Sequence, residues 1–352
     1  MLIAGGYGLV GAQAAELLRE RRPGLPLVLA GRTPANGGAL AERLGGATCV
    51  RIDLTEAADP LGDLAEVPAA ILATVNDPRG ALLQAALDRG IPYVDITRWT
   101  ALVRGALVRC AATPAHAPVM LASGWMGGVV PLLAAWAARD LQTLDRIDIA
   151  IRYALADRAG PDSVAYMDRL ADRFETTIDG EPRLVPALSD ARRVGFADGS
   201  RGRVLRIDTP EQMTLPAVIG APTVATRIGF DDQTTTATLA GLRRLGVLRL
   251  LAAERLTDTR RALMHRPGEG GPALVRIDLS GDERTATVQV HDPAGQSHLT
   301  AVGAVIAIER VLGLDGGPPE PAGPRFPEQA PDPEAAVATL ARHGVEVAKR
   351  PQ

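Results

Sequence analysis

Tyr93, Asp95 and Arg98 stand within six residues of one another, in Tyr93-Val94-Asp95-Ile96-Thr97-Arg98. Their types can act on protons and anions. A carboxylate at Asp95 can stabilise an iminium-like carbon or relay a proton, and equally can cap a helix. Arg98 has the planar fork that holds a substrate carboxylate, or it can serve as a surface ion pair. Trp125 offers an apolar wall or a core side chain, and Tyr153 and Tyr166 offer phenols as proton donors. The five histidines (His116, His265, His291, His298 and His343) are scattered without metal-ligand spacing. Cys49 and Cys110 form no C-x-x-C, there is no H-E-x-x-H, and both cysteines read as small core residues. No metal site is expected. The single lysine, Lys349, excludes a P-loop G-K-[ST] in the body of the chain and a Tyr-x-x-x-Lys pair, and leaves little scope for a Schiff-base amine.

A second set of residues points to an anionic ligand. Leu2-Ile3-Ala4 leads into Gly6-Tyr7-Gly8-Leu9-Val10-Gly11, and a helical pattern follows to Arg22, stopped by Pro23. Strand, glycine turn and helix open a dinucleotide-binding unit. In that reading Gly6 lets the chain turn out of the strand. Gly8 lets a pyrophosphate approach the backbone, and Gly11 lets the helix lie close. A structural strand-to-helix turn has the same sequence. Leu27-Val28-Leu29-Ala30 is a second buried strand, and it ends in Gly31-Arg32-Thr33. Dinucleotide folds commonly place a carboxylate here, against the ribose 2′-hydroxyl. Arg32 stands there instead, and its fork suits a 2′-phosphate. The expected cofactor is therefore NADP, with NAD less favoured. Asp53-Leu54 ends the third strand, where Asp53 lies near the adenine or caps the next turn. Thr74-Val75-Asn76 ends the fourth, at the sheet edge where ligands bind.

The elements that hold these residues follow a regular order. Short apolar runs at 49–52, 69–73, 92–96 and 118–122 read as further parallel strands. Helices lie between them at 39–44, 79–88 and 101–112, and six strands make a full doubly wound sheet. From Arg146 the pattern alternates, in Arg146–Tyr153, Arg203–Ile207, Val224–Phe230, Leu274–Leu279 and Thr285–Val290. Such strands have one polar face. The last two read as a hairpin, and helices are expected at about 162–173 and 234–263. His298–Leu312 is a strongly apolar helix, residues 316–331 a proline-rich packed arm, and Asp332-Pro333-Glu334 starts a last helix that stops at His343-Gly344. The fold class expected is α/β, a Rossmann doubly wound parallel sheet with an inserted α+β domain. The domains expected are 1–128 for the dinucleotide, 129–296 as the α+β domain, and 297–352 as a C-terminal helix and arm.

The totals agree. The length of 352 residues corresponds to about two domains. Apolar residues are 46%, charged residues 22%, and the net charge is −3, an ordinary globular balance. With 3% aromatic residues and no basic patch, nucleic acid is not an expected partner. No run of 18 apolar residues and no basic-then-apolar leader occurs, so neither a membrane span nor export is expected, and the location expected is cytoplasmic.

The chain resembles the saccharopine dehydrogenase (saccharopine reductase-like) family. The resemblance rests on Gly5-Gly6-Tyr7-Gly8-Leu9-Val10-Gly11 with Arg32, on Ala86-Leu87-Asp88-Arg89-Gly90-Ile91-Pro92-Tyr93-Val94-Asp95, and on the tail. In the tail the matching features are the apolar helix, the Gly/Pro-rich arm and Asp332-Pro333-Glu334. The middle third matches in outline only. Membership implies an NAD(P) Rossmann domain (1–128), an inserted domain for substrate and homodimer contacts (129–296), a C-terminal segment packing back on the first domain (297–352), and hydride transfer at a carbon–nitrogen bond of a small molecule. The family's Pro-Gly after the sixth strand is replaced by Gly127-Gly128, the acidic residue after its Tyr-x-Asp by Arg98-Trp99, and the Asp after its Pro-Gly by Val130-Pro131. These departures argue against saccharopine as the substrate. The rival expectation is a non-catalytic NADP-binding regulator or assembly factor.

Overall fold

The computed structural model describes residues 1–56, 58–157, 169, 172–246, 268, 270–281 and 284–351. Seven short strands form the first sheet: β1 (Leu2–Ala4), β2 (Val28–Gly31), β3 (Thr48–Arg51), β4 (Ile71–Ala73), β5 (Tyr93–Asp95), β6 (Pro118–Leu121) and a late arrival, Gly323–Arg325. Their order is 3-2-1-4-5-6 followed by Gly323–Arg325, and every pairing is parallel. Leu2, Ile3, Ala4, Ile71, Leu72 and Ala73 are buried. Strands covered on both faces need such unbroken apolar runs. The proline-rich arm expected at 316–331 thus supplies a seventh strand.

Helices α1 (Leu9–Arg21), α2 (Gly38–Arg43), α3 (Ala81–Arg89) and α4 (Thr100–Ala112) connect these strands, and α5 (Val129–Ala138) follows them. The helix expected from residue 79 begins at Ala81, because Gly80 takes a left-handed φ of 67°. The chain divides into two packed units. Met1–Val129 group with Thr300–Pro327, and Val130–Leu299 group with Glu328–Gln352. The segment 297–352, expected to pack as a whole on the first domain, is therefore shared between the units. Glu309, on the helix Gln296–Leu312, ties that helix to α1 through Arg21 Nε at 3.0 Å and Arg22 Nε at 2.9 Å.

The second unit is built on a mixed sheet. Its strands are β7 (Arg146–Tyr153), β10 (Arg192–Gly195), β11 (Arg201–Arg206), β12 (Val224–Phe230), β13 (Ala273–Gly281), β14 (Arg284–Asp292) and Glu346–Pro351, with a separate hairpin of β8 (Arg173–Ile178) and β9 (Glu181–Pro186). β7 and β12 are parallel, and the other pairs are antiparallel. Arg173, expected to end a helix, begins β8; the rest of that expected helix lies largely outside the described residues. Of the helix expected at 234–263, Gln233–Arg244 is observed. One face of the sheet carries Ile147, Ile149, Ile151, Val275, Ile277 and Val288, all buried. Arg146, Asp148, Arg227 and Arg276 alternate onto the other face, as the two-residue period of a strand dictates.

Ion pairs from one segment of the chain bridge that polar face. Residues 188–200 cross part of it. Arg206 Nη2 reaches Asp190 at 2.9 Å, Arg227 holds the same carboxylate, Arg192 reaches Asp148 at 3.1 Å, and Arg276 donates to the Gly195 carbonyl at 3.2 Å. Phe196 packs beside them on Ala150, Val204 and Leu274. Burial pushes the Asp190 carboxyl up, but the Arg227 and Arg206 guanidiniums outweigh it and hold it well below the usual carboxylate range.

Candidate functional site

The glycine turn is set by backbone crowding. Gly5, at φ 80°, makes the left-handed step out of β1, a step first ascribed to Gly6. A Cβ on Gly6 would lie 2.7 Å from the Ile3 carbonyl oxygen and 3.0 Å from Leu29 Cα. On Gly11 it would lie 2.2 Å from the Gly5 carbonyl oxygen and 2.7 Å from Thr74 Oγ1. No real Cβ tolerates these distances. The Thr74 hydroxyl donates to the Ala4 carbonyl at 2.9 Å, so Thr74 is a peg under the turn. Val75 sits beside it, with its Cβ 3.1 Å from the place a Gly5 Cβ would take, and Asn76 follows, half-buried.

Helix starts at this sheet edge differ, and α4, whose N-cap is Trp99, is like α1 in lacking a side-chain cap. At α3 the buried Asp77 caps the end, its oxygens accepting from the Ala81 and Leu82 amides, each at 3.0 Å. At α1 the cap is Gly8, which has no side chain to offer, and the first turn holds no acidic residue. The amides of Leu9, Val10 and Gly11 lie in that turn, where an α-helix leaves N–H groups without partners inside the helix. This end carries partial positive charge and is a ready site for phosphate. The residues present therefore fit a dinucleotide pyrophosphate.

Around the end of β2 the structure brings together Tyr7, Gly31, Arg32 and Thr33. The Thr33 amide donates to the Tyr7 hydroxyl at 3.0 Å. Arg32 is exposed. Asp53 accepts from the Thr55 hydroxyl at 2.6 Å and amide at 2.9 Å. Of its two sequence readings, the cap is the one its contacts satisfy. Those two bonds, with the Arg51 and Arg32 charges behind them, hold its carboxyl below the usual range. Leu54 is buried, and its carbonyl accepts from Arg79 at 2.8 Å.

Tyr93, Asp95 and Arg98 also come together, but inside the protein. Tyr93 and Asp95 share one side of β5, and each is 0% exposed. The Tyr93 hydroxyl donates to Asp95 Oδ2 at 2.8 Å, and Arg98 Nε meets the same oxygen at 2.8 Å. Asp95 Oδ1 accepts from the Thr97 amide and hydroxyl at 2.8 and 2.9 Å. Arg98 Nη2 lies 3.6 Å from Asp77 Oδ2. Burial, then the Asp95 charge, push the Tyr93 hydroxyl well above its ordinary value, which makes it a poor proton donor near neutrality. Burial disfavours the Arg98 charge, but Asp95 and Tyr93 outweigh it and keep the guanidinium protonated.

Trp125 is half-buried in the loop after β6. Met126, Gly127 and Gly128 then take successive left-handed conformations, at φ 57°, 62° and 85°. A Cβ on Gly127 would meet the Thr300 carbonyl at 2.6 Å, and one on Gly128 would meet Pro327 at 2.3 Å. Gly127-Gly128 is thus required by close packing of the helix Gln296–Leu312 and of Pro327. In the second unit Tyr153 stacks edge-on to Phe230 at 5.9 Å, and burial pushes its hydroxyl up to about 12. Tyr166 lies outside the described residues. His298 Nδ1 pairs with the buried Asp292 at 2.8 Å. Six residues separate that pair, and no periodicity of the sequence marks it. Among the described residues no group of three His, Cys, Asp or Glu is placed to hold a metal, both cysteines are free thiols, and no helix is long and apolar enough to cross a membrane.

No family model and no curated protein matches the sequence. Solved structures do match. Saccharopine dehydrogenase (L-Glu forming) from Saccharomyces cerevisiae superposes with a TM-score of 0.69, over 100% of this chain and 99% of that one, at 14% identity. What they share is the fold. Amine dehydrogenase from Mycobacterium smegmatis superposes with a TM-score of 0.50, over 94% of this chain and 95% of that one, at 12% identity. The doubly wound sheet with a second mixed-sheet unit is therefore a Rossmann fold of the kind those two structures share.

Proposed function

We propose that this chain is an NADP-dependent oxidoreductase that transfers hydride to or from a carbon–nitrogen bond, or a carbonyl carbon, of a small metabolite. One observation carries the cofactor reading. The α1 N-terminus is left without a capping side chain or carboxylate behind a turn with no room for a Cβ at Gly5, Gly6 or Gly11, while α3 is capped by Asp77. The glycine turn and the first amides of α1 would hold the pyrophosphate, and Arg32 the 2′-phosphate. NADPH would supply the hydride when bound. The carbon–nitrogen reading is supported by the two similar folds, a saccharopine dehydrogenase and an amine dehydrogenase by name.

In this reading Tyr93, Asp95 and Arg98 brace the exits of β4 and β5 and do not touch the reacting atoms, because they are buried against one another. The same burial favours the rival, a cofactor-binding regulator, by removing the acid and base expected there. NADPH consumption across amine–aldehyde and keto-acid pairs separates the two. Turnover on any pair excludes the regulator. Arg32→Ala tests the cofactor. Two charge-assisted bonds of about 1.5 kcal/mol each correspond to a loss of about 100-fold in NADPH affinity. NADH affinity should stay within about 2-fold. Equal losses for the two cofactors would sink the assignment.

A further inference from the structure

Tyr7 occupies the variable position between Gly6 and Gly8, yet its contacts lie on the next strand. Its hydroxyl accepts the Thr33 amide at 3.0 Å. A Cβ on Gly31 would lie 2.3 Å from that hydroxyl and 2.5 Å from Tyr7 Cζ. A Cβ on Gly37 would lie 2.7 Å from Tyr7 Cδ1 and 2.8 Å from Cys49 Sγ. The ring therefore lies across the exit of β2, seated on two glycines, with the Cys49 thiol of β3 behind the second. Between those glycines runs Arg32-Thr33, followed by the short 3₁₀ turn Pro34–Gly37.

We infer that Tyr7 is the positioning residue that fixes the Arg32–Thr33 peptide and so sets the preference of the site for an adenosine 2′-phosphate over an unphosphorylated ribose. The inference rests on the NADP reading given above. Its logic is that of preorganisation. Arg32 is exposed and its long side chain is flexible, so ordering it on a ligand costs conformational entropy. The Tyr7 hydroxyl anchors the amide immediately after Arg32, and this limits where the guanidinium can start from. It also engages the Thr33 N–H, so Arg32 carries the phosphate without help from that amide. The two glycines explain how a ring of this size fits. Any side chain at 31 or 37 would displace it.

The test uses the full chain and two small probes, adenosine 2′,5′-bisphosphate and 5′-AMP, titrated by calorimetry into wild type, Tyr7→Phe, Gly31→Ala and Arg32→Ala. Tyr7→Phe keeps the ring and removes only the hydroxyl, and an unchanged melting temperature shows that it folds. The expected result is a loss of about 5-fold for the bisphosphate and less than about 2-fold for 5′-AMP, the scale of one hydrogen bond. Gly31→Ala should lower bisphosphate affinity as well, by dislodging the ring. An unchanged bisphosphate-to-AMP ratio in Tyr7→Phe, or a tighter bisphosphate, overturns the inference about Tyr7. Failure of the underlying reading looks different. In that case wild type itself shows no preference for the bisphosphate, and Arg32→Ala changes nothing.

Discussion

Arg98→Met removes the cation that Asp95 and Asp77 share, and keeps most of the side chain's length. Arg98 is 3% exposed and both carboxylates are 0% exposed, so water cannot replace it without opening the β4–β5 exit. Breaking a buried ion pair from one side costs about 3–5 kcal/mol. Here the lower end applies, because the remaining groups are partly held. Asp77 keeps the α3 amides, and Asp95 keeps Thr97 and the Tyr93 hydroxyl. About 3 kcal/mol corresponds to a melting temperature lower by roughly 6–12 °C for a unit of this size. Thermal and urea unfolding followed by circular dichroism measure it. The double variant Arg98→Met with Asp95→Asn removes both charges, and should recover about 1–2 kcal/mol relative to the sum of the single losses. The reasoning is refuted if Arg98→Met melts like wild type while NADPH turnover collapses. That outcome would place Arg98 on the substrate and not in a brace.

Gly11→Ala should weaken NADPH binding at least about 10-fold and destabilise the first unit by about 1–3 kcal/mol, since its Cβ would meet the Gly5 carbonyl and Thr74. Fluorescence titration and melting measure these, with Gly24→Ala, which meets nothing within 4 Å, as the neutral control. Asp190→Asn tests the charged lattice across the second sheet. The folded Asp190 carboxyl is held below its unfolded value, so its contribution is complete above the ordinary carboxylate range and is lost as pH falls through that range and then the folded value. The variant should therefore melt lower than wild type near neutrality, and the two curves should draw together as pH falls below about 4. A gap constant across pH would count against the ion pairs.

Much of the first sheet was legible because parallel strands buried on both faces are written as unbroken apolar runs, and the glycine turn is written in the only residue its crowding allows. The strand Gly323–Arg325 has no such run, and it hides in a proline-rich arm. β8 and β9 alternate weakly, with exposed Leu184 breaking the pattern. In the site, Gly5 and Asp77 were readable in principle. The first is an extra glycine at the end of a strand, and the second sits in Asn76-Asp77-Pro78 just before an apolar helix, a common cap signal. The buried clustering of Tyr93, Asp95 and Arg98 was not readable. Alternation places two of them on one side of a strand, but burial depends on what the helices cover. The reach of Tyr7 to Thr33 spans 26 residues and depends on the register between β1 and β2.

The late pairing of Gly323–Arg325 with β6, and of Glu346–Pro351 with β14, sets an order of events during synthesis. A ribosome delivers β1 to β6 long before the strand that covers the edge of β6, and β14 likewise waits for the last residues. Until then each nascent sheet presents an unpaired edge, the kind of surface that recruits other chains. Loss of the final thirty or so residues would leave both units open at once, so C-terminal nicking should show as aggregation before it shows as unfolding.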